Sequence, residues 1–206
     1  MNYYKSALLS TTYFGPVQWY QKLHRYGEVC LEAYDSFVKQ TYRNRCVIAA
    51  THGIQTLSVP VVHDPSSSLT RDMRISDHGN WRHLHWHALR SAYGESPFFE
   101  FYADDLAPFF ERRWEFLVDF NEAIMWKMCE LLDIHPVVRH TEHYGDTGSM
   151  EVDDFRDAIR PKHPMPDPDF TPKPYYQVFA QRHGFLPNLS ILDLLMNEGN
   201  ESILYL

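Results

Sequence analysis

The chain of 206 residues predicts an α/β fold: a mixed β-sheet in the N-terminal half, a mostly helical second half, and a helix followed by a strand that close the C-terminus. Three observations carry that prediction. Short apolar runs rich in β-branched residues and bounded by polar breaks crowd residues 1–75. Apolar residues at three- and four-residue spacing dominate 76–145. The composition, 44 % hydrophobic and 15 % aromatic, is enough for a buried core and excludes disorder. Length predicts one domain over 1–206, made of the strand-rich part (1–75), the helical part (76–145), a Pro-rich surface segment (146–174) and a C-terminal closure (175–206).

Residues 7–11 form a short apolar strand candidate. A helix then starts at Pro16, a residue suited to a first helical position, with Val17, Tyr20 and Leu23 on one face. With a second strand at 28–33, the first stretch reads as a parallel strand, helix, strand unit, whose crossover is right-handed. Such units hold ligands at the C-terminal ends of their strands, and here that end carries Ser10, Thr11, Thr12, Tyr13 and Gln18. The loop has one glycine and matches neither a Walker loop nor a dinucleotide fingerprint.

Thr51, His52 and Gly53 turn a hairpin between strands at 46–50 and 54–62, and Pro60 demotes the second to an edge or bulge. Residues 63–70 are a loop, and 72–75 one more short strand. Asn80 or Asp77 caps a helix over 81–93, Pro97 interrupts it, and 106–132 continues in helical spacing. Six prolines and many acids make 146–174 an extended surface segment or lid rather than packed structure. A helix opens at Asn188 to Ser190 and stops near Gly199, and 203–206 closes the sheet as a strand.

The net charge of −8 argues against a nucleic-acid surface. No apolar run reaches membrane-spanning length, and the N-terminus lacks a signal-peptide pattern, so the expected location is the cytoplasm. Cys30, Cys46 and Cys129 are widely spaced, as reduced core thiols are. Against the acidic background, Lys39, Gln40, Thr41, Tyr42, Arg43, Asn44, Arg45 and Cys46 gather three cations and two carboxamides. Arg offers planar paired donors to a carboxylate or phosphate, and Asn and Gln orient it. The alternative for this segment is the charged face of an edge strand.

His78, His83, His85 and His87 invite a metal reading, which the helical phase rejects: only 83 and 87 become neighbours, while 85 joins Trp81, Leu89 and Ala92 on the core-facing stripe. No metal and no cofactor are expected. His85 is then either a hydrogen-bonded core residue or a general base. The aromatic run at 93–102 is core or the wall of a sugar or base site. Asp119 and Asn121, polar groups in an apolar helix, need partners that the segment near Arg45 can supply. Ser190 and Asp193 read as a helix cap with its acid, and no nucleophile elbow surrounds the serine.

The runs YFGPVQWYQKL, KQTYRNRC and LSVPV, the W-x-x-x-H and AYGESPFF stretch of Trp81 to Phe99, and PNLSILDLLMNEG together resemble the WbqC-like family. The resemblance implies a bacterial protein of the kind often encoded with surface-polysaccharide or O-antigen genes. It picks out Pro16, Asn44, Arg45, Trp81, His85, Tyr93, Pro97, Ser190, Asp193 and Gly199. Many relatives carry His-Gln-Pro after the first strand, whereas Ser10, Thr11 and Thr12 stand here. The combined expectation is a group-transfer enzyme acting on an anionic sugar-nucleotide, phosphorylated or acyl substrate. Lys39, Arg43 and Arg45 would hold the anion, with Gln40 and Asn44 orienting it and Tyr13, Gln18, Trp81 and Ser190 completing the substrate site. His85 would move a proton, positioned by Asp193. The rival is a non-catalytic binding or assembly protein, and the partners expected are the small anionic substrate and at most a second copy of the chain.

Overall fold

The computed structural model describes residues 2–62, 66–146 and 151–206. Its centre is a four-stranded sheet in the order β7-β2-β1-β8, formed by β1 (Asn2–Ser10), β2 (Tyr26–Glu32), β7 (Val138–His140) and β8 (Val152–Asp154). Every pairing in it is parallel. Ala7, Leu9, Val29 and Leu31 are buried because helices cover the sheet, which is why these strands read as continuous apolar runs. The helix α1 (Val17–Arg25) connects β1 to β2, with Pro16 one place before its first residue, at the cap. Beside the sheet, β3 (Arg45–Ala50) and β4 (Gly53–Ser58) form the expected hairpin, and β5 (Val61–Val62) pairs with β6 (Arg74–Ile75) beyond Pro60. Of the loop expected at 63–70, residues 63–65 lie outside the described ones, and Thr70–Asp72 is a 3-10 turn.

The helical layer holds α2 (Trp81–Tyr93), α3 (Phe99–Glu111) and α4 (Leu117–Leu131). Helical spacing over 106–132 suggested one continuous element, but the helix breaks at 112–116. There Ile75 N–H donates to the Glu115 carbonyl and Leu117 N–H to the Met73 carbonyl, so a β-type pairing with the β6 strand replaces helical bonds. A short α5 (Ala180–His183) leads to α6 (Ile191–Glu198). Ser190 caps α6 by accepting from Leu192 N–H at 3.3 Å. Gly199 ends it at φ +56°, where a Cβ would lie 2.7 Å from the Phe98 ring.

Two expectations are corrected here. Residues 203–206 are not a strand of the sheet: Gly199–Tyr205 winds into a 3-10 helix, because the chain leaves α6 through a tight glycine turn and packs Ile203 and Tyr205 back on the core. The Pro-rich segment, of which 147–150 fall outside the described residues, lies on the surface over 161–174, where its prolines are, but is packed in its first part. It contributes the edge strand β8 and buries Phe155, Ala158 and Ile159. Asp167 anchors it by accepting from Lys22 Nζ at 2.7 Å and Gln18 Nε2 at 2.8 Å, and Lys22 is 1 % exposed. The Lys22 ammonium also lies 4.4 Å from the centre of the Phe155 ring. A buried pair of this kind is costly to break, because removing one partner leaves the other without its counterpart among apolar groups.

Candidate functional site

The strand ends set the site. Register places Ser10 level with Glu32, while β8 ends beside Leu8 and β7 beside Leu31, so all four strands stop together. From β1 the chain crosses through α1 to β2 on one side, while β8 lies on the other. That is a switch point of a parallel sheet, the place where diverging connections leave a crevice. A cavity of about 380 Å³ opens there, lined by Ser10, Thr11 and Thr12 after β1, Tyr34 to Ser36 after β2, and Phe155 to Asp157 after β8. The turn at 41–43, Arg160 and Tyr144 complete it.

Arg43 forms part of its inner wall, 8 % exposed. Its Nη2 donates to Ser10 Oγ at 2.9 Å and to Asp35, and its Nη1 to Thr41 Oγ1 at 3.3 Å. Asp35 accepts from the Thr70 hydroxyl as well, which fixes the carboxylate and thereby the guanidinium plane. Arg43 Nε is buried and has no partner among the described residues. Arg156 is clasped by Asp154 through Nε and Nη2 and by the fully buried Glu32 through Nη1 at 3.1 Å. The hydrogen bonds to Asp154, outweighing burial, raise its pKa further and keep it charged. Glu32 also accepts from Thr141 Oγ1 and Gly145 N–H, so a carboxylate below the floor organises the loops that follow β2 and β7. Arg160 is the freest cation, 37 % exposed and bound through one nitrogen to Asp157 at 2.6 Å. The chemistry on offer is therefore three guanidiniums, a ring of hydroxyls and a rim carboxylate.

The residues singled out by sequence divide between this crevice and the core. Arg43 lines the crevice, with Ser10, Thr11 and Thr12. Gln40, at φ +65°, stands exposed nearby and accepts from Lys162 Nζ at 2.9 Å; Lys39 is exposed too. Asn44 and Arg45 do not face the crevice. The chain turns at 39–44, Asn44 Nδ2 donates to the Val59 carbonyl at 2.8 Å, and Arg45 begins β3 with its Nε buried. Asn44 is tied to the segment that follows β4, and Arg45 stands in the β3–β4 pairing opposite Ser58. Asn121 finds its partner in this segment, donating to the Arg43 carbonyl at 2.8 Å.

His85 is 6 % exposed and sits among Trp81, Tyr13 and Phe120, not in the crevice. Burial pushes the Tyr13 pKa far up, and its hydroxyl is hydrogen-bonded to His85 Nδ1 at 2.9 Å. Burial, opposed by a hydrogen bond to the Ser58 main chain, lowers the His85 pKa to about 4. The imidazole is neutral and joins the turn after β1, α2 and β4. Asp193 does not reach it: its Oδ2 accepts from Tyr175 Oη at 2.7 Å and Gln177 Nε2 at 2.8 Å, with Tyr93 facing the same carboxyl. Burial raises the Asp193 pKa against those bonds. Gln18 pairs with Asn188 and Asp167, Trp81 donates to the Ser76 carbonyl, and Ser190 Oγ to the Phe14 carbonyl at 2.8 Å. These groups hold the core together. His83 and His87 lie 4.2 Å apart between centroids with their rings tilted, one helical turn apart, and His85 is turned inward. Among the described residues no three His, Cys, Asp or Glu side chains form a metal-sized group, and no helix is long and apolar enough to cross a membrane.

Tyr34, Asp35, Tyr144, Arg156, Asp157 and Arg160 were missed. Their common signal is position, since each follows the C-terminal end of a parallel strand, but β8 is three residues long and has no apolar periodicity to betray it.

A charged crevice at the switch point of a parallel sheet defines the class: an α/β protein whose strand ends open on a polar cavity. A family model described as "WbqC-like protein family" matches residues 11–158, and the chain belongs to that family. The match takes in both β1-following threonines, Arg43, Tyr144 and Arg156. The chain is similar to "Uncharacterized protein Rv1507c" of Mycobacterium tuberculosis (strain ATCC 25618 / H37Rv), at 28 % identity over 197 residues, covering 82 % of this chain and 83 % of that protein. No solved structure matches it significantly.

Proposed function

We propose that the protein binds an anionic, hydroxyl-bearing small molecule in the switch-point crevice and acts on it in group transfer for surface-polysaccharide synthesis. The observation that carries the binding step is the convergence of Arg43, Arg156 and Arg160 with the hydroxyls of Ser10, Thr11, Thr12 and Thr41 around one cavity. Guanidiniums match phosphate and carboxylate, and hydroxyls match a sugar. The carbohydrate pathway is supported by the family resemblance alone. The second reading, a binding or assembly protein without catalysis, is favoured by one observation: the histidine expected to move protons is sealed in the core.

A thermal-shift titration with glucose 1-phosphate tests the binding step, since a ligand at 100 times its dissociation constant stabilises the folded state by about 2.7 kcal/mol. The protein should melt higher with ligand, and Arg160→Ala, which removes a part-exposed side chain held by one surface ion pair, should shrink the shift severalfold. Equal shifts in both proteins, or none in either, would count against the crevice as the anion site. Turnover of an activated sugar donor by the native chain separates the enzyme from the binding protein.

A further inference from the structure

The crevice is asymmetric. Its inner end is the Ser10, Thr11, Thr12, Thr41 and Arg43 wall, whereas its outer end carries two tyrosines, Tyr34 and Tyr144. Tyr144 is 67 % exposed, although an aromatic ring of that size normally hides. Each ring has a guanidinium on one face: Arg156 lies 5.0 Å from the Tyr144 centroid and Arg71 lies 4.7 Å from that of Tyr34. Arg156 is itself clamped by Asp154 and Glu32, so it fixes the Tyr144 ring from behind and leaves the rest of that ring to solvent.

We infer that the outer end is a stacking platform for a nucleobase, so that the crevice takes a nucleoside diphosphate or a sugar linked to one. This rests on the reading of the crevice as an anion site and names its ligand class. A guanidinium on one face draws on the same π density that the C–H groups of a sugar need on the other. A flat, electron-rich base suffers no such penalty and gains stacking. With the base on the face of Tyr144 away from Arg156, Arg160, which gives only one nitrogen to Asp157, is the crevice cation placed to meet the diphosphate. The inner hydroxyl wall then meets whatever the diphosphate carries. A cavity of about 380 Å³ is within the size range of such sites.

Calorimetric titration of the full chain with UDP, ADP, inorganic pyrophosphate and glucose 1-phosphate tests this, using the native protein, Tyr144→Ala and Tyr144→Phe. The nucleoside diphosphates should bind about 5- to 150-fold more tightly than pyrophosphate, the range that one stacked base supplies. Tyr144→Ala should erase that advantage while leaving pyrophosphate and glucose 1-phosphate unchanged, and Tyr144→Phe should keep it. Pyrophosphate binding as tightly as UDP, or glucose 1-phosphate weakening in Tyr144→Ala as much as UDP does, overturns the platform and leaves the anion site standing. Failure of all four probes to bind the native protein overturns both.

Discussion

At the residue scale, His85 shows how burial changes what a side chain is for. Its folded pKa of about 4 lies below the ordinary 6.5, so the unfolded chain takes up a proton that the native one refuses. The stabilisation is complete above pH 6.5 and is lost as the pH falls toward 4, amounting to about 3 kcal/mol across that window. His85→Gln should be less stable than the native protein by about 1–3 kcal/mol at pH 7, because the Tyr13 hydroxyl loses its fitted acceptor. Near pH 4 the difference should shrink or reverse, since glutamine does not titrate. Denaturant melts at the two pH values measure this, and parallel stability curves for the two proteins would contradict it. Sequence placed His85 on the core stripe of α2 correctly, because helical phase is a local property. Whether that core opens on a ligand was not legible, since its partners Tyr13 and Ser58 come from distant segments. The same limit applies to Arg43 and Asn44: both stood out in the sequence, but only the turn at 39–44 and the acceptors waiting at Asp35 and Val59 decide which of the neighbours faces the crevice.

At the scale of elements, the strand after the Pro-rich stretch's start is the piece that makes the site. Without β8 there is no second side to the switch point, and β8 is held by three residue pairs with β1, by Tyr26 and Lys5 on Asp153, by the buried Phe155 after it, and by the Lys22–Asp167 contact further along. Asp167→Ala strands the Lys22 ammonium among apolar groups, and breaking a buried pair in this way costs about 3–5 kcal/mol. Limited proteolysis should find new cleavage within 155–174 in that variant. Combining Lys22→Met with Asp167→Leu should restore most of the stability, because the pair is replaced by packing. A loss below about 1 kcal/mol in Asp167→Ala would mean that the contact does not pin the segment. The long strands, the hairpin and the capped helices were legible because each announces itself through its own period, cap or turn. The strands β7 and β8, and the helix break at 112–116, were not, because three-residue pairings are decided by the neighbour and not by the segment.

At the scale of the molecule, chain connections diverge to either side of β1 in a parallel sheet, and arginines and hydroxyls stand at the strand ends where they diverge. The sequence contained the first half of that statement in the strand, helix, strand unit at its start. The second half needed residues from 10 to 160 brought to one edge. Backbone amide chemical-shift mapping of the native protein during titration with a sugar phosphate tests it most directly. The account predicts saturable shifts confined to residues 10–12, 34–36, 41–43 and 155–160, around the crevice. Shifts centred instead on Arg45, Trp81 and His85, or no saturable shifts at all, would contradict it.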